Sequence, residues 1–345
     1  MGARAGGARR ARTRRGPARR RAPPRPRAVT APSGYAKRLA ARARALESTR
    51  AFFASRGYLE VETPIAIPSP GLDLHLDAFE VAPTGVVTTA AATKRFLSTS
   101  PEYQMKRLLA AGHGRIFQIT RAFRAGELGE RHNPEFTILE FYRPGAGVEA
   151  VMRDTEQLLA RVTGGSVTID GREIDVRPPL PRVTLIEAFE RWAATPADET
   201  LRLAEHDEDA FFEKLAFEVE PALAALDRGV FVTEYPASQA SLARRKADDP
   251  RVAERFELYV AGVELCNGFG ELTDAAEQRA RFERDQATRA ARGKPVYPID
   301  ERFLEALARG MPAAGGNAIG FDRMVALACG TRAIREVLAF SEEEL

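Results

Sequence analysis

The chain has 345 residues, enough for one large domain or two ordinary ones, and its 44% hydrophobic content is that of a globular core. No run of 18 apolar residues occurs, which argues against a transmembrane helix, and two cysteines, Cys266 and Cys329, make no disulfide framework and fit a reducing cytoplasm. The formal charge of +3 hides an asymmetry: residues 1–30 hold eleven arginines and no acid, so the remainder carries about −8, a poor surface for gripping a polyanion along its length.

Residues 1–33 are Arg, Ala, Pro and Gly with almost no large apolar side chain, and are expected to form a disordered tail. A solvated tail or an over-extended start, a nucleic-acid-binding arm, and an organelle transit peptide all fit that composition; Pro23, Pro24 and Pro26 spoil the amphipathic helix the last would need. Tyr35 to Arg56 reads as a helix, with Leu39, Ala43, Leu46, Phe52 and Phe53 near a 3.6-residue period and Gly57 as its stop. A strand with prolines follows at 58–64, and Phe79–Val87 and Phe96–Ser100 alternate as strands. Ser100-Pro101-Glu102 then opens a helix through Leu109, with proline in its first turn.

The stretch Phe123–Tyr142 is the densest in chemistry. Apolar Ile116, Phe117, Ile119 and Phe123 stand before its central break, and Phe136, Ile138, Leu139 and Phe141 after it. Between these groups stand Arg124, Glu127, Glu130, Arg131 and His132, then the break Asn133-Pro134; Glu135 precedes the second group and Glu140 lies within it. That pattern predicts two antiparallel strands joined by a long charged loop. Arginine at a strand end suits a planar, multi-donor grip on phosphate or carboxylate.

Residues 150–230 read as support and insertion, with no chemistry visible. Asp170-Gly171 signals a hairpin, Thr184-x-x-Glu187 is a capping box, and Asp207–Leu226 is helical. Phe231–Tyr235, Arg255–Val263 and Leu265–Leu272 are strands, and Ala275–Arg292 is a charged helix. Gly315–Gly330 is a glycine-rich loop running into an apolar helix that carries Arg323. The order predicts an α+β domain over residues 34–345, an antiparallel β-sheet flanked by helices. Neither GxGxxG nor GxxxxGK[ST] is present, so any nucleotide site here is of another kind.

RHNPEFT at 131–137, GVELCNGFGEL at 262–272 and GGNAIGFDRMVALACG at 315–330 resemble motifs 2 and 3 of the class II aminoacyl-tRNA synthetases, in their lysyl branch. The resemblance spans roughly residues 35–340, and Tyr35–Pro64 is similar to motif 1, which implies a homodimer. It implies an ATP-dependent ligase in which the substrate carboxylate attacks the α-phosphate of ATP to form an aminoacyl-adenylate. By resemblance, Arg124 holds that phosphate and the carboxylate, and Arg323 grips the γ-phosphate end. Glu264, with Glu271, lies near a Mg²⁺ that bridges the phosphates. Ala125, Gly126 and Glu127 of the loop, with Asn133, Leu265 and Gly320, complete the ATP site. Ser100, Glu102, Tyr142, Asn267 and Glu271 match the lysine pocket, with Glu140 and Ala318 beside them. One departure is the loop Phe123-Arg124-Ala125-Gly126-Glu127, where the lysyl enzymes often read FRNEG, which displaces the acid by one residue.

Lysyl-tRNA synthetases carry an N-terminal anticodon-binding domain, and only 33 residues precede the motif 1 helix here. The shorter paralogue family, the elongation factor P β-lysine ligases, resembles this chain best. It implies activation of (R)-β-lysine, or lysine, and transfer to the ε-amine of a lysine on elongation factor P, with tRNA and membrane not expected as partners. Ala318 fits, because the tRNA enzymes usually have glycine at that place. Two rivals stand beside this reading: a truncated synthetase charging tRNA with help from the Arg-rich tail, and an inactive synthetase-like binding module. The second should have lost Arg124, Arg323 or Glu264, and all three are present.

Overall fold

Eight strands make the sheet on which residues 34–345 are built. Their spatial order is Leu59–Glu60, Ile116–Phe123, Glu135–Pro144, Ala314–Gly320, Val263–Gly270, Arg255–Val260, Val230–Thr233 and Arg182–Thr184. This computed structural model describes residue 2, residues 34–82 and residues 94–345. The predicted tail and the second half of the predicted Phe79–Val87 strand lie outside the described residues; the first half forms a short strand, Glu80–Val81.

The six central strands are antiparallel, as their sequence predicts, but both edges are parallel pairs: Leu59–Glu60 with Ile116–Phe123, and Arg182–Thr184 with Val230–Thr233. A parallel pair needs a crossover connection, and at the second edge the helices between residues 185 and 224 supply it. The predicted helix over 207–226 is divided into Glu208–Lys214, a π-helical turn Leu215–Val219 and Glu220–Ala224. The capping box at Thr184 forms as predicted, with Glu187 N–H donating to Thr184 Oγ1 at 3.1 Å and Thr184 N–H to Glu187 Oε2 at 2.8 Å. Asp170 and Gly171 both take positive φ, the geometry of a tight hairpin turn. The 255–270 hairpin turns at Ala261-Gly262, earlier than the sequence break at 264 suggests, again with both residues at positive φ.

Period-2 alternation divides the sheet between two tasks. Leu139 and Phe141 join Phe52, Phe53, Leu158, Phe321 and Met324 in a core between one face and the helices Tyr35–Ala54, Val148–Thr163 and Phe321–Ala328. Phe53 stacks on Phe117 with ring centroids 4.7 Å apart. Ile138, Glu140 and Tyr142 point the other way, and the open face they share carries the site.

Candidate active site

The open face holds a cleft of about 580 Å³. Its floor is the Ala314–Gly320 strand, where Gly316, Ala318 and Gly320 lie opposite Phe269, Asn267 and Ile138 or their neighbours across the ladders. Small residues are required there: a Cβ on Gly316 would stand 2.2 Å from Glu271 Oε1 and 2.4 Å from the Tyr142 ring.

A β-bulge decides which side chains reach the cleft. Leu258 pairs with Cys266 and Tyr259 with Glu264, so Leu265 has no opposite number. The extra residue brings Glu264 to the same face as Asn267 and Phe269 despite their odd spacing in sequence. Glu264, Leu265, Asn267, Ala318, Gly320, Arg323, Arg124, Glu127, Asn133, Ser100 and Glu102 line the cleft. Ala125 and Gly126 do not; Ala125 N–H is bonded to Asp77 O at 2.7 Å. Glu140, Tyr142 and Glu271 are buried at its edge, 1%, 2% and 0% exposed.

One end of the cleft is acidic. Glu140 accepts from Ser100 Oγ at 2.9 Å and from Tyr142 O–H at 3.1 Å. Burial, and then the Glu102 carboxylate, push its carboxyl up to about 8. Lys106, fully buried, places Nζ 2.5 Å from Glu102 Oε1 and 2.5 Å from Glu271 Oε2. Burial pushes Glu271 up to about 7 against the pull of Lys106. Burial alone would lower the Lys106 pKa, but the two carboxylates outweigh it and leave the ammonium firmly charged.

The other end is cationic. Arg323, in the first turn of the Phe321–Ala328 helix, donates through Nη1 to Glu264 O at 2.8 Å, and Nη2 lies 2.8 Å from His132 Nε2. Burial and that guanidinium lower the His132 pKa, so the ring is neutral and Nε2 accepts. Arg124 Nε reaches Thr99 O at 3.4 Å, its guanidinium lies over Phe136 at 4.9 Å, and Glu127 stands 3.7 Å away. Glu264 Oε2 is 3.7 Å from Arg323, and the Glu264 side chain is 41% open. Enclosure by the wall and the Glu257 carboxylate raise its pKa to about 7, a push that this opening to solvent partly screens.

Asn133 works within the chain: its amide donates to Glu135 O at 2.7 Å and accepts from Glu342 N–H at 3.0 Å. Glu271 is fully buried with one oxygen paired to Lys106, so of the two expected Mg²⁺ carboxylates Glu264 is the one that lines the cleft. Among the described residues no three His, Cys, Asp or Glu side chains gather as a metal cage. A Mg²⁺ that rides on nucleotide phosphates needs only one or two carboxylates, and Glu264 fits that need. Cys266 is buried, with its thiol pushed up to about 12, and is no nucleophile.

Sequence reasoning missed four contributors. Lys106 stands four residues after Glu102 on one helix, a spacing that could have revealed the pair. His132, one charge among several in its loop, carries no local signal that it meets Arg323. A wall of Arg255, Glu257, Tyr235 and Tyr259 closes the cleft, with Tyr235 and Tyr259 hydroxyls donating to Glu257 Oε2 at 2.6 and 2.8 Å. Asp322 accepts from Thr137 N–H at 2.7 Å behind the site, a contact across 185 residues that no local pattern shows.

The family described as tRNA synthetases class II (D, K and N) matches residues 28–344. A relative from Enterobacter sp. (strain 638), named elongation factor P–(R)-β-lysine ligase, is 44% identical over 90% of this chain and 96% of its own length. Relatives of the same name from Edwardsiella ictaluri and Salmonella dublin are 46% and 43% identical over the same shares.

Proposed function

Because this chain belongs to the class II tRNA synthetases of the D, K and N group, and within them to the family of the elongation factor P–(R)-β-lysine ligases, we propose that it activates (R)-β-lysine with ATP and transfers it to a lysine ε-amine of elongation factor P. It is an ATP-dependent ligase. The observation that carries the finer reading is the polarity of the cleft. Glu102 lines one end with Glu140 and Glu271 buried behind it through Ser100 and Lys106, Arg124 and Arg323 line the cleft as cations, and small residues floor it. A diamino acid has ammonium groups for the first and a carboxylate for the second, and burying either charge demands such a partner.

In the first step a carboxylate oxygen of the amino acid attacks the α-phosphorus, the bond to the bridging oxygen breaks, and pyrophosphate leaves. Arg124 orients the carboxylate and meets charge building on the α-phosphate; Arg323, kept in place by His132 and Glu264 O, meets charge on the departing end. Glu264 would hold a Mg²⁺, which would supply positive charge to the phosphate oxygens. In the second step the acceptor amine attacks the carbonyl carbon, the bond to AMP breaks, and the amine proton passes to the AMP phosphate. No Ser/His or Cys/His pair is needed, since the substrate carboxylate is itself the nucleophile.

Further parts of the reading concern assembly and place. The chain forms a homodimer through Tyr35–Pro64, where Leu59 on an edge strand is 57% exposed and, just beyond the segment, Ile65 is 38% exposed. It works in the cytoplasm; no helix among the described residues is long and apolar enough to cross a membrane. Residues 34–345 form the catalytic domain, with 150–230 supporting the sheet.

Amino-acid-dependent ATP–pyrophosphate exchange tests this function. (R)-β-lysine should drive exchange best, α-lysine less, and norleucine, which lacks the terminal ammonium, not at all. Exchange that norleucine drives as well as (R)-β-lysine would remove the acidic end from substrate recognition.

A further inference from the structure

Lys106 takes no part in the steps above, yet it is bonded to two of the residues that define the acidic end. The Glu102–Ala110 helix delivers it: Glu102 opens the helix and Lys106 follows one turn later on the same face. Its side chain is 0% exposed, and its Nζ bridges Glu102 Oε1 and Glu271 Oε2. Both Glu271 oxygens are buried without a well-aligned hydrogen-bond donor among the described residues; Oε2 has the ion pair with Lys106, and Oε1 has no partner at all. That oxygen faces the cleft floor, where only the missing Cβ of Gly316 leaves it room. A buried carboxylate oxygen without a donor is costly, and in a binding site it marks the place of a donor to come.

The charge count is as telling. Three carboxylates, Glu102, Glu140 and Glu271, share this end with one ammonium. Glu140 holds its proton in the empty cleft, so Glu102 and Glu271 leave one negative charge over against Lys106, and a substrate ammonium supplies its partner.

We propose that Lys106 is a positioning and specificity-determining residue. By clamping Glu102 and Glu271 it turns Glu271 Oε1 toward the ammonium of the substrate, and by supplying one positive charge it sets the end of the cleft for a diamino acid. This rests on the reading of that end as the ammonium site. A merely structural lysine would affect stability and both substrates alike.

The test compares the full chain with Lys106→Met and Lys106→Arg in ATP–pyrophosphate exchange, with (R)-β-lysine and ATP varied separately. Lys106→Met should raise the KM for the amino acid at least about tenfold and leave the KM for ATP within about twofold. Lys106→Arg, which keeps the charge, should recover most of the amino-acid KM. No exchange by the unaltered chain with any lysine isomer would sink the reading of the site itself. Exchange by the unaltered chain, with Lys106→Met raising both KM values equally or neither, would overturn only the role of Lys106. If neither variant folds, Lys106 is a structural residue and the proposal is overturned.

Discussion

Arg42 Nη1 lies 2.5 Å from Asp322 Oδ1, and this one pair ties the first long helix to the last. The other carboxylate oxygen of Asp322 accepts Thr137 N–H at 2.7 Å, while Arg42 Nη2 donates to Thr137 Oγ1 at 2.7 Å. Three segments far apart in sequence are thus locked directly beneath Arg323. Asp322→Ala leaves a largely buried guanidinium without its carboxylate and a buried N–H without an acceptor. It should destabilise the chain by about 3–5 kcal/mol, the usual loss when one partner of a buried pair is removed. Chemical denaturation measures this; a loss under about 1 kcal/mol contradicts the locking role.

Arg323 itself faces the cleft and holds little of the core. Arg323→Ala should lower ATP–pyrophosphate exchange by about a hundred- to a thousandfold, the effect of removing one preorganised donor, with an unchanged melting temperature. Near-normal exchange would take Arg323 out of the mechanism.

Glu140 makes stability depend on pH. Its carboxyl is raised from 4.5 to about 8 by burial and by Glu102. Between those values the folded chain keeps a proton that the unfolded chain has released. The stabilising contribution of the group is therefore full below about 4.5 and is lost as pH rises through 8. Glu140→Gln has no proton to lose, so its melting temperature relative to the unaltered chain should climb from pH 6 to pH 9. A difference that is flat with pH contradicts the buried, proton-holding carboxyl.

Ala318 lies between Asn267 and Glu140 in the sheet register, with its methyl toward the cleft. Ala318→Gly should widen the floor and shift preference from (R)-β-lysine toward α-lysine, by about tenfold in the ratio of kcat/KM, the range one methyl commands. An unchanged ratio means the floor does not choose the isomer.

Much of this was legible in the sequence because the chemistry is local. Arg124, Arg323 and Glu264 sit in short motifs whose residue types and spacing carry their meaning, and alternating apolar residues gave the central strands. What was not legible depends on geometry between segments. Strict alternation would have sent Glu264 and Asn267 to opposite faces, and only the bulge at Leu265 unites them. Glu271 reads as an open metal carboxylate until Lys106 is found against it. The parallel edges depend on crossovers, and the π-helical turn at Leu215–Val219 interrupts a periodicity that reads as one helix.

The central claim is that the activated amino acid goes to a protein amine. The most direct measurement is the intact mass of elongation factor P after incubation with this chain, ATP and each lysine isomer, set beside charging of full-length tRNA with lysine under the same conditions. Elongation factor P should gain the mass of one lysyl residue, fastest with (R)-β-lysine, while tRNA stays essentially uncharged. Charging of tRNA faster than modification of elongation factor P by either isomer would contradict the account.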